Sequence, residues 1–502
     1  MSRVAVAALF LTLWTSSSAT TDHKPQTKDI LSRCVATLGG ADRLQNVRLL
    51  TYQSWSHTFL HSISPSESLP GLFAYETKDV VLQLQRQIIS EKSRWQWTES
   101  ETPNISSLLI TPEGGFIERN GAKTPVSADR FYGSIDALAA NPISALLAAS
   151  ASADAHLLPQ PGEMYEVAFL QTIYGQRIET TLGIDKHSYV LRSIEIRHSY
   201  SQDIYNAMWG DIVKRFVYSS WYLDPSGVYL PTKWRVSTNG LDDGQVSLVN
   251  VKINPILSEP LPDLPSDFKN SFDAFLHLSA HDFARRNLGN GDHVDVQEGI
   301  VMLPGRERTY NALVVKQDQG IVVVEGPYSN ANSEQIIQYA NSAFPATPIV
   351  AVVSTDQLWF HVAGLPAYAK AHIPIYVLDA NADLVRWVLS SQLHGVDAHR
   401  SASQVRIVKG RTRIGTGKNQ IVLIPFRGAA SARMIAVYFP QSKLLYCSDL
   451  YLPLAWGHQY WTERLAEIRD LIEREHLDVQ QIAGESVPPH AWKDLVGSVP
   501  AK

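Results

Sequence analysis

The chain has 502 residues, of which 45% are hydrophobic and 19% are charged, and this composition is typical of globular proteins. The length exceeds what one hydrophobic core usually supports, so we expect more than one domain. The formal net charge is −5, and no segment concentrates Lys and Arg. These features argue against binding to nucleic acid and against electrostatic docking on anionic lipid.

The N-terminus has the residue order of a secretory signal peptide. Arg3 precedes an apolar run at 4–14, and a small, mostly polar stretch follows at 15–20. The apolar run is too short to span a bilayer, which takes about 20 residues. We therefore predict a signal peptide at residues 1–20, no transmembrane segment, and an exported protein that is periplasmic or secreted.

The chain contains two cysteines, Cys34 and Cys447, which are too few for a disulfide-rich scaffold. A bridge between them and two free thiols are both open interpretations. We favour two buried free thiols, because unpaired cysteine is among the most buried residue types.

Residues 25–255 are predicted to form an antiparallel β-rich domain. A helix is expected over 28–48, with its main run ending at Gly39-Gly40, and an Ala- and Leu-rich helix over 136–153. Most other segments are rich in Val, Ile, Tyr, Thr and Trp and are separated by turn signals. This pattern favours one large curved sheet wrapped on a helix.

Two short stretches of this domain carry a resemblance. Residues 38–47, LGGADRLQNV, resemble the opening of the lipoprotein-carrier-like β-domains that precede β-lactamase-fold domains in some exported bacterial proteins. Residues 183–191, GIDKHSYVL, resemble their recurrent strand. The resemblance implies a concave apolar groove, and the alternative is a β-domain that only shields or positions its neighbour.

A proline-rich segment separates the two halves of the chain. Residues 254–265 contain Pro255, Pro260, Pro262 and Pro265, which rule out a helix or a central strand there. We predict a linker with a short helix at 256–290 and a second domain at 291–500.

The second domain alternates strands and helices. Predicted strands are 294–303 and 309–316, which pair as a hairpin, and then 320–325, 349–353, 375–378, 404–409, 419–425, 434–439, 444–448 and 479–483; predicted helices are 332–344, 365–371, 383–392 and 460–475. Two strand-rich halves with helices fit two sheets packed face to face with helices outside.

This order resembles the metallo-β-lactamase superfamily, in which the second apolar strand ends in Thr-His-x-His-x-Asp-His-x-x-Gly and holds one or two zinc ions. Residues 355–364, TDQLWFHVAG, keep Thr355, His361 and Gly364. The ligand positions depart from the family: Asp356 replaces the first His, and apolar Leu358 and Phe360 replace the second His and the Asp.

The remaining motifs match only in part. The third family His falls at about Ala430 and is missing, whereas Asp449 matches the Asp that bridges the two metals. The last family His falls at about Glu485 or Ser486, with His490 nearby but out of register. The resemblance implies an α+β chain with a C-terminal αββα metallo-β-lactamase-like sandwich behind the N-terminal antiparallel β-rich domain.

Three residues remain as candidate metal ligands, His361, Asp449 and Asp356. The cofactor prediction is therefore none, or one divalent metal (zinc, iron or manganese). We interpret Glu325, at the end of the first buried strand, as structural. Four further residues are candidates for a pocket beside the site: Trp456, His458, Glu485 and His490.

Three functions remain open. The first is an exported binding or scaffold protein that has lost dinuclear zinc hydrolysis, in effect a pseudoenzyme. The second is a metal-dependent hydrolase with an altered one-metal site. The third is an apolar-ligand or lipid carrier that works through the N-terminal sheet, and no residue pattern identifies a protein partner.

Overall fold

The computed structural model describes residues 26–59, 72–97, 103–159, 162–199, 211–276, 293–304, 311–390, 404–428, 431–451, 461–485 and 487–496. The predicted signal peptide at 1–20 lies outside these residues.

The first half of the chain forms one antiparallel sheet of thirteen strands. The strands are β1 Leu49–Phe59, β2 Leu72–Gln83, β3 Ile88–Trp97, β4 Asn104–Thr111, β5 Gly114–Arg119, β6 Ala122–Pro125, β7 His156–Leu157, β8 Met164–Ile173, β9 Gln176–Asp185, β10 Leu191–Ser199, β11 Asp211–Leu223, β12 Tyr229–Thr238 and β13 Leu241–Ile253. Their order is β6-β5-β4-β3-β2-β1-β13-β12-β11-β10-β9-β8-β7. Each strand therefore pairs with a sequence neighbour, except where β1 meets β13.

Four helices accompany this sheet, at Thr27–Thr37, Ala41–Gln45, Ala128–Ala139 and Pro142–Ala151. The last two connect the edge strands β6 and β7, and their apolar side chains share one core with the sheet. The prediction of a single helix over 136–153 is wrong. Asn141 interrupts the helical run by capping a new helix, since its side chain accepts hydrogen bonds from the backbone N–H groups of Ile143 and Ser144.

Among the described residues, no single helix is long and apolar enough to cross a membrane. The helix pair Ala128–Ala139 and Pro142–Ala151, bent by 68°, meets the length and composition requirement only when taken together.

The described part of the predicted linker lies against the first sheet. It contains a short 3-10 turn, Ser266–Phe268, and a helix, Asp273–Leu276. Phe268 packs on the hydrophobic cluster that includes Phe116 of β5. The predicted domain boundaries at 255 and 291 stay a prediction.

The second half of the chain forms two sheets. The seven-stranded sheet runs in chain order through β14 Val294–Gln297, β15 Ile300–Leu303, β16 Ala312–Gln317, β17 Gly320–Val324, β18 Ile349–Val353, β19 Ile375–Leu378 and β20 Val405–Val408. The six-stranded sheet runs through β21 Thr412–Ile414, β22 Ile421–Pro425, β23 Ile435–Phe439, β24 Leu444–Tyr446, β25 Gln481–Gly484 and β26 Val487–Ala491. Strands β17 to β20 are parallel, and so is the pair β24–β25.

Side-chain alternation along β17 shows how the layers stack. Val322 and Val324 belong to a core shared with the six-stranded sheet, whereas Ile321 and Val323 belong to the core on the helical side. The helices outside the seven-stranded sheet are Asn330–Ala343, Trp359–Val362, Leu365–Lys370 and Ala382–Ser390, and the six-stranded sheet is accompanied by Trp461–Arg474 and Trp492–Val496. The predicted α+β fold with a C-terminal αββα sandwich is confirmed.

Candidate metal site

The candidate site lies at one end of the sandwich, where strands from both sheets stop. Asp356 comes shortly after β18, and Asp449 comes shortly after β24. The backbone N–H of Ile435 at the start of β23 donates to the Thr355 carbonyl over 2.8 Å and joins the two sheets at this end. Because parallel strands end at the same edge, residues far apart in sequence meet here.

Three predicted ligands come together at this point. Asp356, His361 and Asp449 each offer one ligand atom, and these atoms all lie within 4.8 Å of one another. The side chains are buried, at 2%, 0% and 6% relative exposure. Asp356 Oδ2, His361 Nε2 and Asp449 Oδ1 have no hydrogen-bond partner, although the last two lie 3.4 Å apart. Buried polar atoms normally have partners, so this arrangement is typical of a ligand site.

His361 is held in place by Glu325. Its Nδ1 lies 2.7 Å from Glu325 Oε2, and the other carboxylate oxygen, Oε1, accepts hydrogen bonds from Thr355 Oγ1 and from the Tyr446 hydroxyl. The Ser448 hydroxyl lies 2.6 Å from Thr355 Oγ1. Sequence reasoning missed this role of Glu325. The available signal was an acidic residue directly after the apolar run GIVVV.

Two residues of the site have left-handed backbone conformations. Glu325 has φ +82° and Ser448 has φ +53°. This region of backbone space disfavours residues other than Gly, Asn and Asp. Such strain persists where surrounding contacts hold it, and it clusters at functional sites.

The electrostatics of the site favour a positive charge. Burial raises the pKa of Asp356 from 3.8 to about 7; His361 opposes this rise and Asp449 adds to it. Burial disfavours the charged form of His361, but Glu325 and Asp449 raise its pKa well above 6.5. Glu485 adds a further buried carboxylate at this end, with 2% of its surface exposed. Carboxylates gathered in this way require protons or a cation to balance them.

The donor set fits one divalent cation. Zinc–oxygen and zinc–nitrogen bonds of about 2.1 Å place neighbouring tetrahedral ligand atoms about 3.4 Å apart, and the His361–Asp449 pair has this separation. Leu358 and Phe360, the apolar residues at two positions where the sequence resemblance places ligands, offer no ligand atom. The Phe360 ring instead packs 4.7 Å from the His361 ring.

The structure describes two of the other predicted pocket residues, Glu485 and His490. Glu485 follows β25, and its backbone N–H donates to the Ser448 carbonyl over 3.1 Å. His490 lies on β26 opposite Ile482, its side chain is exposed, and its Nδ1 lies 2.6 Å from the Pro488 carbonyl; its role in a pocket stays a prediction. Trp456 and His458 lie outside the described residues, as does position 430.

Several solved structures are similar to part of this chain. The metallo-β-lactamase from Pontibacter korlensis is 16% identical with a TM-score of 0.34, and the alignment covers 41% of this chain and 96% of that one. The DIM-1 metallo-β-lactamase is 16% identical with a TM-score of 0.33, and the alignment covers 41% of this chain and 94% of that one. The sec-alkylsulfatase Pisa1 from Pseudomonas sp. is 14% identical with a TM-score of 0.30, and the alignment covers 43% of this chain and 41% of that one.

No protein-family model and no curated protein matches the chain. The fold of the second half is defined by its own strand order and layers.

Proposed function

We propose that the second domain binds one divalent cation through Asp356, His361 and Asp449 and is a metal-dependent hydrolase. One observation carries this proposal: two buried carboxylates and one buried imidazole bring candidate ligand atoms within 4.8 Å of one another. Two carboxylates and one imidazole suit zinc, iron or manganese.

Three protein ligands are the number typical of catalytic zinc sites, which keep one position open. A bound divalent cation supplies Lewis acidity for the hydrolysis of an ester, amide or similar bond. The protein's own part is to hold the three donors and to keep the site dry, since all three side chains are buried. Electrostatic interactions are stronger in such an environment than in water.

Elemental analysis tests the cation. The purified protein is stripped with a chelator, dialysed against Zn²⁺, Fe²⁺ or Mn²⁺, and measured for bound metal. We expect about one equivalent in the wild type, and loss of at least tenfold in affinity for His361→Ala and Asp356→Asn. His490→Ala is the matched control, because this histidine is exposed and lies outside the group, and it should retain the metal.

A wild-type protein that retains no cation under any of these conditions would overturn the proposal. The chain would then be the binding or scaffold protein of the first alternative. Cation-dependent cleavage across a panel of esters, amides and sulfate esters tests the hydrolase part separately.

A pocket in the first half of the chain favours a second candidate function, the carriage of an apolar ligand. The pocket has an empty volume of about 590 Å³, part of it open to solvent. Its lining comes from β1, β11, β12, β13 and the two helices that join β6 to β7: Leu50, Tyr52, Ala137, Ala140, Asn141, Pro142, Phe216, Tyr218, Leu230, Pro231, Trp234, Leu248 and Val251. The Tyr218 hydroxyl donates to the Ala140 carbonyl, which leaves its ring for apolar contact.

Export completes the proposal. The charged, apolar and small-residue order of residues 1–20 supports a cleaved signal peptide. N-terminal sequencing of the secreted or periplasmic product should begin near residue 20, and an intact Met1 in the mature protein would contradict export by this route.

A further inference from the structure

We infer that Glu325 is a positioning residue that fixes the tautomer and orientation of His361, so that the Nε2 lone pair faces the cation. This inference rests on the proposed function. Glu325 is not one of the three candidate ligands, and its side chain is buried with 1% exposure.

The hydrogen bonds around Glu325 determine the proton position on His361. The carboxylate accepts from Thr355 and Tyr446 on one oxygen, and its other oxygen faces His361 Nδ1 at 2.7 Å. A ring nitrogen at hydrogen-bond distance from a carboxylate oxygen that already belongs to an accepting group donates to it, so the hydrogen lies on Nδ1. In the neutral ring, Nε2 then bears the lone pair.

The same carboxylate also connects the segments that carry the other ligands. Thr355, which donates to Glu325, precedes Asp356 in the chain. Ser448, whose hydroxyl lies 2.6 Å from Thr355 Oγ1, precedes Asp449. One side chain at the end of β17, in the seven-stranded sheet, thus sets the relative positions of all three donors. The left-handed backbone at Glu325 and Ser448 is the conformational strain that this network holds in place.

Removal of the carboxylate should weaken cation binding while the ligands themselves remain. A carboxylate behind a metal-binding histidine is worth about 10- to 100-fold in affinity. Titration with Zn²⁺ alone should therefore show about a tenfold loss for Glu325→Gln, which keeps the shape and one acceptor oxygen. A loss approaching a hundredfold is expected for Glu325→Ala.

A nuclear magnetic resonance readout separates positioning from general stabilisation. With Zn²⁺ bound, the ¹⁵N spectrum of His361 in the wild type should show a protonated Nδ1 and a coordinated Nε2. In Glu325→Ala the ring is no longer held by this contact, so coordination should be shared between Nε2 and Nδ1 and the two nitrogen signals should lose this single assignment. If Glu325→Ala fails to fold, Glu325→Gln carries the test, because an amide tolerates the same backbone and volume.

Glu91→Gln is the matched control. Glu91 is a poorly exposed carboxylate of the first sheet, 3.2 Å from Lys78 Nζ, so its substitution costs an ion pair without touching the site. It should lower thermal stability and leave Zn²⁺ affinity unchanged. Wild-type affinity and an unchanged His361 spectrum in both Glu325 variants would overturn the inference, whereas absence of Zn²⁺ binding in the wild type would instead overturn the proposed function.

Discussion

At the residue scale, two of the candidate ligands, Asp356 and His361, use one atom of the side chain in a contact with the protein and turn another atom towards the site. Asp356 accepts the Gln357 backbone N–H through Oδ1 and leaves Oδ2 without a partner. His361 commits Nδ1 to Glu325 and leaves Nε2 without a hydrogen bond. Such ligands are already oriented before a cation arrives, so less entropy is lost on binding.

The two cysteine thiols should react only slowly with thiol reagents in the native protein. Both are buried and free, as predicted. Burial raises the pKa of the Cys34 thiol to about 12 and also raises the pKa of Cys447. The thiolate is the reactive form, so a thiol reagent at pH 8 should modify the native protein about a thousandfold more slowly than free cysteine.

A thiol reagent that releases a chromophore on reaction checks this expectation, because the absorbance counts the modified thiols. Two equivalents should react on unfolding in denaturant, and Cys34→Ala should leave one. Rapid modification of either thiol in the native protein would show that its strand or helix opens to solvent.

At the element scale, the helix Ala128–Ala139 depends on a histidine of the sheet. His198 on β10 packs its ring 5.4 Å from Tyr132 of this helix. Burial lowers the pKa of His198 from 6.5, and Asp136 and Asp211 oppose this shift only in part. As the pH falls below 6.5, His198 is therefore protonated in the unfolded chain before it is protonated in the folded protein. The free energy of unfolding falls until the pH reaches the pKa of His198 in the folded protein.

Chemical denaturation at pH 7 and pH 5 measures this effect. The free energy of unfolding of the wild type should fall between the two values, and His198→Gln should reduce that fall. His187→Gln is the control, because the His187 side chain is 83% exposed. An equal fall in His198→Gln and the wild type would exclude His198 as the cause.

Helices and strands could be predicted from the sequence where the hydrophobic residues recur with a single period. Most strands of the sandwich were predicted from sequence close to their observed bounds, and helix 460–475 is found at Trp461–Arg474. The prediction of one strand over 294–303 is wrong, because this segment forms the two strands β14 and β15. The break before Pro142 was missed, because an Ala-rich run satisfies helical periodicity on both sides of the cap. The contact between Glu325 and His361 could not be predicted, since 36 residues separate them and only the parallel pairing of β17 and β18 brings their segments together.

At the whole-molecule scale, the two candidate binding sites belong to different sheets. The cation group lies at the end of the αββα sandwich, and the apolar pocket lies between the thirteen-stranded sheet and its helices. The sequence predicted both regions through resemblance. It could not predict which donors converge, because this depends on how two sheets meet.

Because the two sites are separate, a ligand at each site should stabilise the folded protein independently of the other. A ligand that binds only the folded state stabilises it by about 2.7 kcal/mol at a hundredfold excess over its Kd, and distant sites should act additively. Zn²⁺ and palmitate should therefore each raise the thermal midpoint or the midpoint of urea unfolding. Trp234→Ala, which removes a ring from the pocket wall, should lose only the palmitate effect, and His361→Ala should lose only the Zn²⁺ effect. Loss of the palmitate effect in His361→Ala would contradict independence, and its absence in the wild type would reject the carrier function while leaving the cation site standing.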